Sequence, residues 1–168
     1  KALKPWIVPI FELINETYRH IYGFMPVTRD EMYEFADRYL PVLNPRFIKL
    51  ITNRENQVLA FLISMPELSA GIRRARGRLF PIGWIPILIE SRRTRLLTML
   101  LGAIKPSHRG KGLDALMGIK LLESARKAGM KIMDSHLILE HNTRMRAEYE
   151  RMKGVVHKRY RVYAKSLQ

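Results

Sequence analysis

Apolar residues recur at helical spacing near the start of the chain. Ile10, Leu13, Ile14, Thr17, Tyr18 and Ile21 share one face, and Gly23 stops the pattern. Thr28, with Glu31 three residues on, forms a capping-box signature for a second helix that runs to about Tyr39, ahead of Pro41. The period then shortens. Residues 47–52 and 58–64 read as two strands around the turn 53–56, of sequence NREN. A short helix fits residues 67–76, and an ill-defined apolar stretch follows it. Residues 96–104 (LLTMLLGAI) are almost continuously apolar, as in a strand buried on both faces, and Pro106 ends the run. Leu113, Leu116, Met117, Leu121 and Ala125 then make a helical stripe that stops at Gly129. Residues 131–139 read as a strand, 142–153 as a short helix closed by Gly154, and 155–164 as a last strand carrying Tyr160, Val162 and Tyr163. Two helices, a hairpin and a β-α-β-α-β half predict a mixed α/β fold, a central mixed sheet flanked by helices. We expect one domain over 1–168, with a helical part at 1–45 and the core at 46–164.

Composition narrows the picture. A chain of 168 residues can bury a sizeable core without a staple. It has no Cys, which excludes disulfide scaffolds, thiol nucleophiles and Cys-based metal sites, and fits a reducing, cytoplasmic setting. The longest apolar run, 79–89 (LFPIGWIPILI), is too short to span a bilayer and is broken by Pro81, Gly83 and Pro86. No basic-then-apolar leader follows Lys1, so the start reads as a cut inside a longer protein, with an upstream domain as one expectation.

The charge is uneven. Lys and Arg total 30 against 15 Asp and Glu, a net of +15. Residues 1–69 hold 8 basic and 8 acidic side chains, while 70–168 hold 22 and 7, so the whole excess lies in the second part. Something anionic is expected there: a phosphorylated ligand, a membrane surface or nucleic acid.

The strand at 96–104 leads into His108-Arg109-Gly110-Lys111-Gly112 and then into a helix. A glycine turn before a helix N-terminus suits a phosphate, because first-turn N–H groups lack intrahelical partners and the dipole favours negative charge. Arg109 and Lys111 add formal charge. The triphosphate-loop pattern GxxxxGK[ST] fails, since Lys105 stands five before Gly110 and Gly112 follows Lys111. Gly110-x-Gly112-x-x-Ala115, with Asp134 further on, does match a dinucleotide fingerprint. The linker 105–109 spoils the tight turn that fingerprint needs, and too little chain follows for a doubly wound sheet.

Arg109-Gly110-Lys111-Gly112-Leu113-Asp114, after a strand and before an amphipathic helix, resembles the acyl-CoA-binding motif Gln/Arg-x-x-Gly-x-Gly/Ala of the GNAT superfamily of N-acyltransferases. Arg109 and Gly112 match. Asp114 stands where the family has Gly or Ala, and is expected to point away from a pyrophosphate. A second motif agrees: Asn142 after the next strand, then Tyr149 seven residues later, followed by Glu150. The family's next Gly falls at Lys153, whereas here Gly154 comes one residue later. The resemblance covers about 46–164. The segments 44–47, 77–81 and 160–163 are similar to a little-characterised bacterial branch of acetyltransferases. The family's first strand has no clear counterpart before Ile10.

The resemblance implies an N-acyltransferase using acetyl-CoA or another acyl-CoA, with an unidentified amine as acceptor. It implies that the backbone of Gly102, Ala103 and Ile104 lines the pantetheine arm and that the N–H groups of Arg109, Gly110, Lys111, Gly112, Leu113 and Asp114 hold the pyrophosphate. Asn142 takes the position that contacts the arm or an ordered water, and Tyr149 that of the general acid. Direct attack also needs a base. His136 and Glu140 are the candidates, on one face if 131–140 stays extended. With His141 they hint at a metal, but the spacing fits no zinc motif and a third ligand is missing.

Arg73, Arg74, Arg76, Arg78, Arg92, Arg93 and Arg95 lie between 70 and 95, opposed only by Glu90. A CoA loop does not account for them. A solvated basic face is the default; an anionic acceptor, an acidic partner, peripheral contact with an anionic membrane, or nucleic acid are the sharper readings, nucleic acid the least favoured. Phe80, Trp84 and 85–89 suit either a membrane- or acyl-facing element or a buried insertion, and burial is the expectation. The rival to catalysis is a non-catalytic basic module on a degenerate GNAT fold that binds nucleic acid or an acidic partner.

Overall fold

A computed structural model describes residues 3–163, 165 and 166. The chain gathers into two compact units, residues 1–136 and 137–168.

In the first unit, helix α1 (Ile7–Thr17) turns Ile7, Ile10, Leu13, Ile14 and Thr17 inward, a stripe of period 3.6. It is shorter than its periodicity suggests: Tyr18 closes it and Ile21 lies in the turn beyond. Helix α2 (Arg29–Tyr39) begins at the capping box, where the Thr28 N–H donates to Glu31 Oε2 at 2.8 Å. Among the described residues, four strands follow the order β1-β2-β3-β4: β1 (Ile48–Thr52), β2 (Val58–Pro66), β3 (Leu96–Ile104) and β4 (Ile132–Ser135). β1–β2 and β2–β3 pair antiparallel, and β3–β4 pair parallel. Helix α5 (Leu113–Lys127) makes the crossover between the two parallel strands.

The sheet has a core on each face. Ile10, Leu13 and Ile14 of α1 pack with Val58, Phe61 and Ala103. Leu121 and Ala125 of α5 pack with Phe47 and Leu97. α2 adds Met32 and Ala36 against Ile7. Between β2 and β3 stand helices α3 (Ser69–Arg74) and α4 (Trp84–Arg93). Glu67, before α3, accepts from the Ser69 N–H at 2.7 Å and the Thr98 hydroxyl at 3.0 Å. The Ser69 side chain above all, with these two bonds, holds its carboxyl below the ordinary value against the raising effect of burial.

Three expectations are corrected. The stretch after residue 76 contains helix α4, none of whose residues is buried, so 79–89 is no buried insertion. The strand expected over 131–139 stops at Ser135, because its ladder to β3 ends there. The last strand expected over 155–164 does not form: residues 155–163 pair with no strand and leave Val155, Tyr160, Val162 and Tyr163 exposed, while Ala164 lies outside the described residues.

Candidate active site

β3 and β4 form a fork. β3 pairs with β2 along its whole length, from Leu97 opposite Pro66 to Ile104 opposite Ala60. It pairs with β4 only over Leu96 to Met99. The last rung is the His136 N–H on the Met99 carbonyl at 3.0 Å. Leu100 is the extra residue of a bulge, since Ile63 faces Leu101 and Ser64 faces Met99. Past the bulge, residues 100–104 have no partner strand on the β4 side among the described residues.

The polar groups on this open edge are identifiable. Lys105 N–H donates to Leu59 O at 2.8 Å on the β2 side. Backbone direction alternates along a strand, so Gly102 and Ile104 turn their groups to the open side. Side chains meet them there. The Tyr18 hydroxyl donates to Gly102 O at 2.9 Å and accepts from the Gly102 N–H at 3.3 Å. Arg109 Nε donates to Ile104 O at 3.3 Å. Burial pushes the Tyr18 phenol up, against the lowering effect of its Gly102 bond. A Cβ on Gly102 would lie 3.1 Å from Leu62 Cδ1, so this glycine also lets β3 sit tight on β2. An extended ligand bearing amides can add to such an edge as a strand would.

β3 runs straight into the glycine turn. Residues 106–108 form one 3-10 turn, and Gly110 and Gly112 take φ of +73° and +76°. L side chains avoid that region, so glycine is required by conformation. No heavy atom lies within 4 Å of a Cβ built on either, so the turn is open to an approaching group. Gly112 is the N-cap of α5, and its carbonyl accepts the Leu116 N–H at 3.0 Å. The Leu113 and Asp114 amides have no intrahelical acceptor. Asp114 folds its carboxylate onto the Ala115 N–H at 2.9 Å, capping its own helix. Exposed Arg109, Lys111 and half-buried His108 surround this end. The arrangement suits a phosphate or pyrophosphate.

His136 follows β4 at the mouth of the fork, with its side chain exposed. The other candidates belong to the second unit. There Asn142 caps helix α6 (Thr143–Arg151), its Oδ1 accepting from the Met145 N–H at 3.3 Å. Glu140 lies in the preceding turn, its carbonyl accepting from Arg146 Nη1 at 3.1 Å. With the strand ended at Ser135, the alternation meant to set His136 and Glu140 on one face does not extend to Glu140. Tyr149 sits half-buried on α6. Its carbonyl accepts the Gly154 N–H at 2.8 Å, and Glu150 accepts the Lys153 N–H at 2.9 Å. That pair of bonds is a Schellman ending, with Lys153 at φ +57° in the place glycine usually fills. Gly154 is held close as well: a Cβ there would lie 3.0 Å from the Tyr149 carbonyl. Among the described residues no three His, Asp or Glu come together as a metal site.

Known structures with this architecture decide the fold. An acetyltransferase of Trypanosoma brucei matches at TM-score 0.56 and 18% identity, over 95% of this chain and 92% of that one. An N-acetyltransferase of Staphylococcus aureus Mu50 matches at 0.58 and 14%, over 89% and 78%. AAC(6')-Iy, solved with a CoA-linked bisubstrate analogue, matches at 0.58 and 11%, over 98% and 94%. The fold is that of the GNAT acetyltransferases. No family model matches the chain. Two curated proteins are similar in sequence: protein YghO of Escherichia coli K12, at 28% identity over 93% of this chain and 41% of its own length, and the bacterial ceramide synthase of Caulobacter vibrioides, at 25% over 93% and 42%. The chain thus spans about two fifths of the length of these relatives.

Within this GNAT-like sheet, the residues expected to hold a CoA thioester fall on two adjoining features: Gly102, Ala103 and Ile104 on the open edge of β3, and Arg109 to Asp114 on the turn and first helical positions. Sequence reasoning missed Tyr18. Its place in an apolar helical stripe read as core, and nothing local to it signals the hydrogen bonds to Gly102, 84 residues away.

Proposed function

We propose that the chain binds an acyl-CoA and transfers its acyl group to an amine. The observation that carries this reading is the β3 edge, unpaired past Met99 and continuous with a glycine turn at a helix N-terminus. The edge offers backbone groups at Gly102 and Ile104 to the amides of a pantetheine arm, and the turn offers N–H groups of 109–114 to the pyrophosphate. Tyr18 and Arg109 hold that edge until the arm competes for it.

The reaction is a direct transfer. The neutral amine attacks the thioester carbonyl, the C–N bond forms, and the C–S bond breaks. The amine proton leaves to a base and the departing thiolate takes a proton. His136 is our base, at the fork mouth; Glu140 is the alternative. Tyr149 is the acid, and Asn142 orients the arm while capping α6. The similarity to a ceramide synthase supports a long-chain lipid amine as acceptor, because ceramide is the amide of such an amine. The cytoplasm, which holds the acyl-CoA pool, is the compartment this reading implies.

The test is thermal. A ligand present at about 100-fold its dissociation constant stabilises the native state by about 2.7 kcal/mol. Acetyl-CoA and a long-chain acyl-CoA at millimolar concentration are expected to raise Tm, and with a long-chain amine to release free CoA thiol. No rise with either thioester removes the reading and favours the non-catalytic module. Tyr149→Phe is expected to lower turnover by about 10²-fold with little change in acyl-CoA affinity. Equal loss of both makes Tyr149 a packing residue.

A further inference from the structure

The α3–α4 hairpin turns a large apolar tip to solvent. Leu79 is 58% exposed, Phe80 90%, Ile82 67% and Trp84 53%, and α4 continues with exposed Ile85, Leu88 and Ile89. The hairpin under this tip is tightly built. A Cβ on Gly71 would lie 2.7 Å from the Ile87 Cα and 2.8 Å from the Pro86 carbonyl, so α3 and α4 meet backbone to backbone. Arg74 pairs with Glu90 at 3.0 Å across the two helices. The Trp84 Nε1–H donates to the Pro81 carbonyl at 3.1 Å, which leaves the exposed indole with no donor to satisfy elsewhere. An ordered segment with bulky apolar side chains in water marks a contact surface.

Charge says what the surface contacts. Arg73, Arg74, Arg76 and Arg78 lead into this tip from α3, while Arg92, Arg93 and Arg95 lie at and just past the far end of α4, and all seven are exposed. The one acid between 70 and 95, Glu90, is engaged by Arg74. We propose that the α3–α4 hairpin is a docking element that seats on an anionic phospholipid bilayer, with Leu79, Phe80, Ile82 and Trp84 in the acyl boundary, Arg73, Arg74, Arg76 and Arg78 at headgroup level, and Arg92, Arg93 and Arg95 adding longer-range attraction. Guanidinium groups find phosphates there while their stems lie along apolar surface. Aromatic rings favour that depth. A nucleic acid would answer the arginines but leave the four apolar chains in water, whereas a bilayer answers both. Among the described residues no helix is long and apolar enough to cross a membrane, so the contact lies in the interface. The proposal goes beyond acyl transfer and stands or falls without it.

The experiment uses the whole chain with vesicles of equal parts phosphatidylglycerol and phosphatidylcholine, against vesicles of phosphatidylcholine alone. Expected are co-sedimentation with the anionic vesicles, at least tenfold weaker binding to the neutral ones, and a blue shift of tryptophan emission. The shift is expected to vanish in Trp84→Phe, which leaves Trp6 as the other tryptophan. Phe80→Ser with Ile82→Ser, and separately Arg76→Glu with Arg78→Glu, are each expected to weaken binding at least tenfold. These side chains are exposed, and unchanged circular dichroism confirms that the variants fold. Lack of binding to anionic vesicles overturns the proposal. So does binding untouched by the serine variants, tighter binding to a DNA duplex than to vesicles, or sedimentation showing that the tip joins two copies of the chain.

Discussion

Tyr18 shows how much one side chain can organise. Its ring packs edge-on to Phe24 at 5.8 Å between centroids, and its hydroxyl closes on both backbone groups of Gly102. Removing that hydroxyl leaves the outward groups of Gly102 to water, so Tyr18→Phe is expected to cost about 1 kcal/mol in urea unfolding at neutral pH. The raised phenol also makes a prediction about pH. In the unfolded chain a tyrosine ionises near pH 10, while in the native protein Tyr18 keeps its proton beyond that. Above pH 10 the unfolded state therefore binds fewer protons than the native state, and stability falls as pH rises. Tyr18→Phe lacks this group, so its stability is expected to fall less steeply between pH 9 and 11 than that of the wild type. Parallel curves would mean that Tyr18 titrates normally.

At the level of elements, α5 and its turn separate two uses of glycine. Gly112 and Gly118 both have open space around a built Cβ, so neither substitution clashes. They differ only in backbone. Gly112 is at φ +76° and Gly118 is within the helix. Gly112→Ala is expected to cost about 1–2 kcal/mol, the penalty of a side chain in the left-handed region. Gly118→Ala is expected to stabilise by about 0.5–1 kcal/mol, because alanine restricts the unfolded chain and favours helix. Opposite signs in one thermal melt series check the pair, and only Gly112→Ala is expected also to weaken acyl-CoA binding. The same elements show what was legible. α1, the β1–β2 hairpin and α5 were readable because each has its own period and its own stop, such as Gly129 after α5. α4 was not. WIPIL is apolar all round and reads as core, Pro86 sits in a first turn that tolerates it, and the close approach of Gly71 on α3 to Pro86 and Ile87 involves a distant residue. The fork was hidden for a related reason. Residues 131–139 have strand-like character throughout, and where pairing ends is set by the Leu100 bulge on another strand. Residues 155–163 carry β-favouring side chains, but propensity makes no strand without a partner edge. Of the candidate site, the glycine turn was legible from local chemistry, whereas Tyr18 and the open edge depend on contacts between distant segments.

On the scale of the whole molecule, the +15 charge is a standing cost of compactness, because like charges are held closer in the native state than in the unfolded chain. Its distribution matters more than its size. All the excess lies in 70–168, and four of the seven arginines of 70–95 stand on the two short helices α3 and α4. Salt from 0.01 M to 0.15 M shortens the screening length from about 30 Å to about 8 Å. Relief of about 1 kcal/mol of repulsion would raise Tm by about 3 °C in a protein of this size. We therefore expect Tm to rise over that range of sodium chloride. Arg76→Glu with Arg92→Glu takes the net charge from +15 to +11, two units per reversal, and removes repulsion within the 70–95 cluster. That variant is expected to be the more stable at 0.01 M and to show less than half of the wild-type salt response. Equal responses would mean that the arginines are already far enough apart to ignore one another. On the proposed bilayer an anionic surface offsets that repulsion, which is the state that the vesicle experiment creates.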